Sequence, residues 1–169
     1  MLLFAHLGLT LAFARLLPLL PRADLACLAL GSMLPDIIDK PLGLVLFGSP
    51  AMGRTVAHTL LFLALLTALS LRLRDNRATS LTWGVFIHFL LDGMYSFPQT
   101  LLWPLLGPFP SAELVDTLSY IEMLLSGLND PSILIPELAG LIYLFILARE
   151  RQSEVRRRIR FLLQGGTRT

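Results

Sequence analysis

The sequence is short of charge. Only 15% of its 169 residues are Asp, Glu, Lys or Arg, against about 25% in an ordinary globular domain, which leaves too little polar side chain to cover a soluble surface. It holds a single cysteine, Cys27, so an internal disulfide and two-thiol redox chemistry are excluded. In its apolar setting that thiol reads as a small packed hydrophobe. Neither charge sign dominates: 14 Lys+Arg against 12 Asp+Glu leave +2, too little for a nucleic-acid footprint. No linker, repeat or low-complexity tract divides the chain. What it has instead is apolar side chain, 54% by count with a mean hydropathy of +0.68, and that composition points to a membrane.

The first apolar run lacks the basic residues that precede the core of a signal peptide and carries Arg15 near its end, so it is expected to stay in the mature chain. Five apolar segments can be drawn: residues 2–20, 23–34, 56–71, 81–96 and 133–148. Several are shorter than the ~20 residues a perpendicular helix needs to cross ~30 Å of hydrocarbon, and Pro35 is expected to end the second. Short, polar-interrupted spans are tolerated where their backbone is enclosed by protein or lines a wet cavity. The expected fold is therefore all-α: a polytopic membrane bundle of about five short or broken transmembrane helices around a polar interior.

The stretch 97–131 contains Pro98, Pro104, Pro108 and Pro110, which predict an irregular first half. Leu101, Leu102, Trp103, Leu105, Leu106 and Phe109 suit a seat at the membrane interface. Ser111 to Glu113 then reads as a cap, and Leu114, Leu118, Ile121, Leu124 and Leu125 recur at helical spacing, with Asp116 and Glu122 on the wetter side. This predicts an outer-face helix lying along the membrane. Residues 1–149 are expected to form one membrane-embedded domain. Residues 150–169 read as a basic cytoplasmic tail in contact with anionic lipid.

Basic residues are retained on the cytoplasmic side, and here they are unevenly placed. Arg72, Arg74 and Arg77 lie between the third and fourth segments, seven arginines follow the fifth, and residues 97–131 contain no Lys or Arg. With the N-terminus out and the C-terminus in, all of the 14 except Lys40 and Arg54 fall inside.

Ionisable residues within apolar sequence mark function, because burying them in a bilayer is costly. Here they are His6, Asp36, Asp39, His58, His88, Asp92 and Glu137. Any one of them alone reads as a core histidine or a capping carboxylate. In the topology above all seven share the outer half of the bundle, and a random scatter would not share one depth. His88 and Asp92, four apart, lie on one helix face. Imidazoles and carboxylates in this mixture suit zinc, manganese or iron, in a site of two or more divalent ions. Glu137 reads as a further ligand or a general base. Arg54, four residues before His58, reads as a catalytic cation for phosphate oxygens where the third helix extends to it, or as an ion-pair partner of Asp36 or Asp39, a role Lys40 could share. No Gly-x-Ser-x-Gly elbow is present, so Ser32, Ser49 and Ser96 are poor nucleophiles and a water activated by metal is the expected attacking group.

The run Gly31-Ser32-Met33-Leu34-Pro35-Asp36-Ile37-Ile38-Asp39-Lys40-Pro41, followed by Arg54-Thr55-Val56-Ala57-His58-Thr59 and His88-Phe89-Leu90-Leu91-Asp92, resembles the membrane-bound metal-dependent hydrolases of the LexA-regulated inner-membrane type over nearly the whole chain. The order of an N-terminal His, a Leu-Pro-Asp box, an Arg-x-x-x-His box and a His-x-x-x-Asp pair is also similar to that of zinc-dependent phospholipases C. The resemblance implies a metal-dependent hydrolase of the inner membrane that cleaves a phosphoester, with membrane lipids or a lipid-linked phosphate as its partners and no nucleic acid. One position departs from it: many members carry a histidine directly before the arginine, where this chain has Gly53. The alternative class is a transporter whose intramembrane His and Asp residues relay protons or carry a cation. The single depth of the charges and the lack of an internal repeat weigh against it.

Overall fold

The computed structural model of the chain describes residues 3–16, 23–49, 53–110 and 115–163, and within them every regular element is helical. Helix α1 spans Leu3–Leu16 and α2 Leu25–Phe47. After a 3-10 turn at Val56–His58 come α3, Leu60–Leu73, and α4, Asn76–Leu91. A second 3-10 turn, Met94–Ser96, leads into the short α5, Pro98–Leu101, then α6, Thr117–Gly127, and α7, Pro131–Leu163.

The starts are set by side chains that accept otherwise orphaned amide protons. Asp24 accepts from the N–H groups of Ala26 and Cys27, Thr59 from Phe62, Asp75 from Ala78, and Asp116 from Leu118 and Ser119. The amide of Cys27 in particular holds the Asp24 carboxyl below its ordinary value. The cap expected at Ser111 to Glu113 lies outside the described residues; the cap observed for α6 is Asp116.

Pro35 does not end the second helix. It lies inside α2, as does Pro41. A proline removes one amide and bends the ladder, but later amides can still reach their own acceptors. The stop comes instead at Gly48, whose φ of 68° is in the left-handed region that glycine adopts freely, with its N–H donating to the carbonyl of Leu44. Asp36 and Asp39 are thus placed within α2 rather than beyond its end.

The most extensive packing is between α2 and α4, followed by α1 with α7. Both pairs cross at glycine. A Cβ on Gly31 would run into the Leu81 carbonyl, and one on Gly84 into that of Leu28; a Cβ on Gly8 would meet the backbone of Gly140. Small residues let helix backbones approach in this way, the usual contact between helices in membranes. The buried apolar core is small. One cluster joins Leu11, Ala14 and Leu28; another joins Val85, Phe89 and Met94. Large apolar side chains face outward instead, among them Leu65 and Leu69 on α3 and Ile142 and Phe145 on α7, an exterior suited to hydrocarbon rather than water.

Among the described residues one helix, over Pro131–Arg157, is long and apolar enough to cross a membrane, while α1 and α3 are apolar but have 14 residues each. Length and composition therefore support one crossing where five were expected. Helix α7 also runs without interruption past residue 149 into the arginine-rich segment.

Candidate metal centre

The close crossing of α2 and α4 places the last turn of α4 against the stretch of α2 that carries Ser32. His88, fully buried on that turn, has its Nδ1 2.7 Å from the carbonyl oxygen of Ser32. A carbonyl only accepts, so Nδ1 carries the proton and Nε2 presents a lone pair. His58, on the 3-10 turn before α3, has its Nδ1 2.7 Å from Asp39 Oδ2. The buried Asp39 carboxylate also accepts from the backbone N–H groups of Thr55 at 2.7 Å, Ala57 at 3.0 Å and His58 at 3.1 Å. Four donors converging on two oxygens require an acceptor, so His58 Nδ1 is likewise the donor and its Nε2 the lone pair.

The two Nε2 atoms stand 3.1 Å apart. Two lone pairs at that separation need a proton or a cation between them. Two imidazole nitrogens on one tetrahedral zinc, at ~2.0–2.1 Å each, would be about 3.3 Å apart, so the pair fits a shared metal ion.

Carboxylates and a third imidazole complete the surroundings. Asp36 Oδ1 is 3.8 Å from His58 Nε2, while its Oδ2 accepts from Lys40 Nζ at 2.8 Å, one turn along α2. His6, near the start of α1, stacks on His88 with ring centroids 4.3 Å apart, and its Nε2 is 3.3 Å from Asp92 Oδ1. Two sets of potential ligands result, Asp36/His58/His88 and His6/His88/Asp92, each with its ligand atoms within 4.8 Å of one another. His88 belongs to both, and its one free nitrogen can serve one cation at a time.

The structure thus brings His6, Asp36, His58, His88 and Asp92 together. It places Asp39 behind His58, in the position from which a carboxylate fixes a ligating imidazole. Asp92 Oδ2 accepts from both Nε and Nη2 of Arg54 at 3.0 Å, and the guanidinium lies 4.7 Å from the Phe97 ring centre. Two features differ from the spacing argument: Arg54 precedes the 3-10 turn instead of sharing a helix face with His58, and its partner is Asp92 rather than Asp36 or Asp39. Glu137 is in neither ligand set. Its Oε2 accepts from the Phe4 N–H at 2.9 Å, which ties α7 to the start of α1 two residues before His6. The Ser32 carbonyl was not foreseen. Gly31 beside Ser32 and Gly84 one turn before His88 are the sequence signals that could have found it.

An all-helical chain with an apolar exterior and a buried histidine–aspartate cluster is a membrane protein with a site capable of holding metal. The chain belongs to the YdjM inner membrane protein family, whose model matches residues 1–158. No curated protein and no solved structure matches it.

Proposed function

We propose that this chain is a multi-pass inner-membrane hydrolase that cleaves a phosphoester bond in a lipid or lipid-linked substrate, using divalent ions, zinc foremost, held by His6, Asp36, His58, His88 and Asp92. The facing Nε2 atoms of His58 and His88, each aimed by an acceptor on its Nδ1, are the observation that carries this reading. Bound there, a divalent ion supplies Lewis acidity, which activates water and polarises a phosphoryl oxygen.

The chain's own groups account for the rest. Asp39 and the Ser32 carbonyl hold the imidazoles in one tautomer and orientation. Arg54 has 40% of its side chain exposed while two of its nitrogens are held at Asp92, so its planar fork is aimed at the site with an edge left for a phosphate oxygen. Glu137 anchors the start of α1, and with it His6. A cluster set among apolar helices favours a substrate that partitions into the membrane over one dissolved in water.

Protein purified in detergent should hydrolyse a phospholipid in mixed micelles faster than a short-chain soluble ester, lose the activity to a chelator and recover it with zinc. No hydrolysis by metal-loaded protein, together with cation uptake into proteoliposomes, would contradict the proposal and favour transport.

A further inference from the structure

Helices α3 and α4 form a hairpin with a groove of about 300 Å³ between them, whose lining includes no residue of the histidine cluster. Leu63, Leu71, Trp83 and Phe86 supply its apolar walls, and Trp83 packs edge-on against Phe86 with ring centroids 5.5 Å apart. Four hydroxyl residues also line it, yet they offer little to a polar ligand. Thr67 donates to the Leu63 carbonyl, Ser70 to Thr67, Thr79 to Asp75 and Thr82 to Ala78, at 2.8, 2.9, 3.0 and 2.9 Å. Each hydroxyl donates to a carbonyl about one turn back in its own helix or cap, and Thr82 also reaches the Leu66 carbonyl across the groove at 3.4 Å, so all four are already committed.

The groove ends at the α3–α4 turn, where Ser70, Leu71 and Thr79 adjoin Arg72, Arg74 and Arg77. All three arginines are exposed. Arg77 lies 3.5 Å from Asp24, and no carboxylate among the described residues is paired with Arg72 or Arg74. A hydrocarbon slot that opens onto a cluster of cations matches a ligand with an acyl chain and an anionic head. A soluble anion would leave the groove unused, and a neutral lipid would leave the arginines unused.

We infer that this groove is a binding site for an anionic phospholipid, with one acyl chain between α3 and α4 and the phosphate at Arg72, Arg74 and Arg77. The inference rests on membrane residence and does not depend on hydrolysis at the histidine cluster.

Trp83 is a built-in reporter. Protein carrying Trp103→Phe, which leaves Trp83 as the sole tryptophan, would be reconstituted in phosphatidylcholine vesicles containing chain-brominated phosphatidylglycerol or chain-brominated phosphatidylcholine at equal mole fraction. Several-fold stronger quenching by the anionic lipid is expected. That preference should vanish in Arg72→Gln/Arg74→Gln/Arg77→Gln and diminish at high salt. Equal quenching by the two lipids, or a preference that survives the triple substitution, would overturn the site. A partner helix in the groove would give the first outcome, since it keeps both lipids from Trp83 alike, and a lipid held without the arginines would give the second. Bound metal and hydrolysis should be unchanged in the triple variant, which separates failure here from failure of the proposed catalytic site.

Discussion

Asp39 and the Ser32 carbonyl perform one task by different means: each takes the Nδ1 proton of a histidine and turns that ring's Nε2 toward the other. Loss of such an orienting partner typically costs 10–100-fold in metal affinity. Asp39→Asn should therefore weaken zinc binding by about that factor in a chelator competition, and unchanged affinity would remove Asp39 from the account. Asp39→Ala should also lower thermal stability, because it leaves the amides of Thr55, Ala57 and His58 without their acceptor. At Arg54, lysine keeps the charge but loses the fork held on Asp92. Arg54→Lys is expected to retain metal while kcat/KM falls on the order of 10²–10³-fold, the scale of losing a donor to a developing oxyanion; full activity with full metal would exclude both a catalytic and a structural role. Residue identity at the site was readable in advance, since ionisable groups in apolar sequence are few. Roles were less so. Nothing in the spacing of Asp36 and Asp39 says that amides from residues 55, 57 and 58 arrive at one carboxylate and leave the other facing an imidazole.

Helix crossings decide whether those residues meet. Gly31 and Gly84 let α2 and α4 approach until His88 reaches Ser32, and a methyl group at either glycine would strike backbone, which cannot turn aside as a side chain can. Gly84→Ala should cost about 1–3 kcal/mol by overpacking and reduce bound metal, as measured by thermal unfolding and metal analysis of the same sample. Gly127→Ala serves as the comparison, because its Cβ would meet only the Ile133 side chain at 3.4 Å; it should be close to neutral. Equal effects of the two would contradict the crossing as drawn. The elements themselves were legible where apolar periodicity is long, as in α7, and poorly legible at their ends. Pro35 looked like a stop, but a proline removes a single amide, whereas Gly48 in the left-handed conformation turns the chain away. The third segment reads as one helix, yet its first turn is 3-10 and ends at Thr59, whose side chain caps a fresh start.

For the whole molecule, the most telling dimension is α7. Its 33 residues make a rod of about 50 Å, against ~30 Å of hydrocarbon, so the arginine-rich end projects well past the apolar part. If that end lies in the cytoplasm, as the placement of Lys and Arg argues, then α6 lies outside. In a Cys27→Ala background, cysteine at Ser126 should react with an impermeant maleimide in intact cells and cysteine at Ser153 should not; the reverse pattern would invert the molecule. The all-helical class and the apolar exterior were legible from composition, but the number of crossings was not, because α1 and α3 satisfy an apolar count yet, at 14 residues each, fall short of the ~20 that a perpendicular crossing needs. The central claim is that His58 and His88 share a metal ion, and metal content tests it most directly. Protein purified without chelator and analysed by inductively coupled plasma mass spectrometry should carry stoichiometric divalent metal, which falls to background in His58→Ala and in His88→Ala while circular dichroism remains helical. Metal content unchanged in both variants, or none in the wild type after exposure to zinc, manganese and iron in turn, would contradict it.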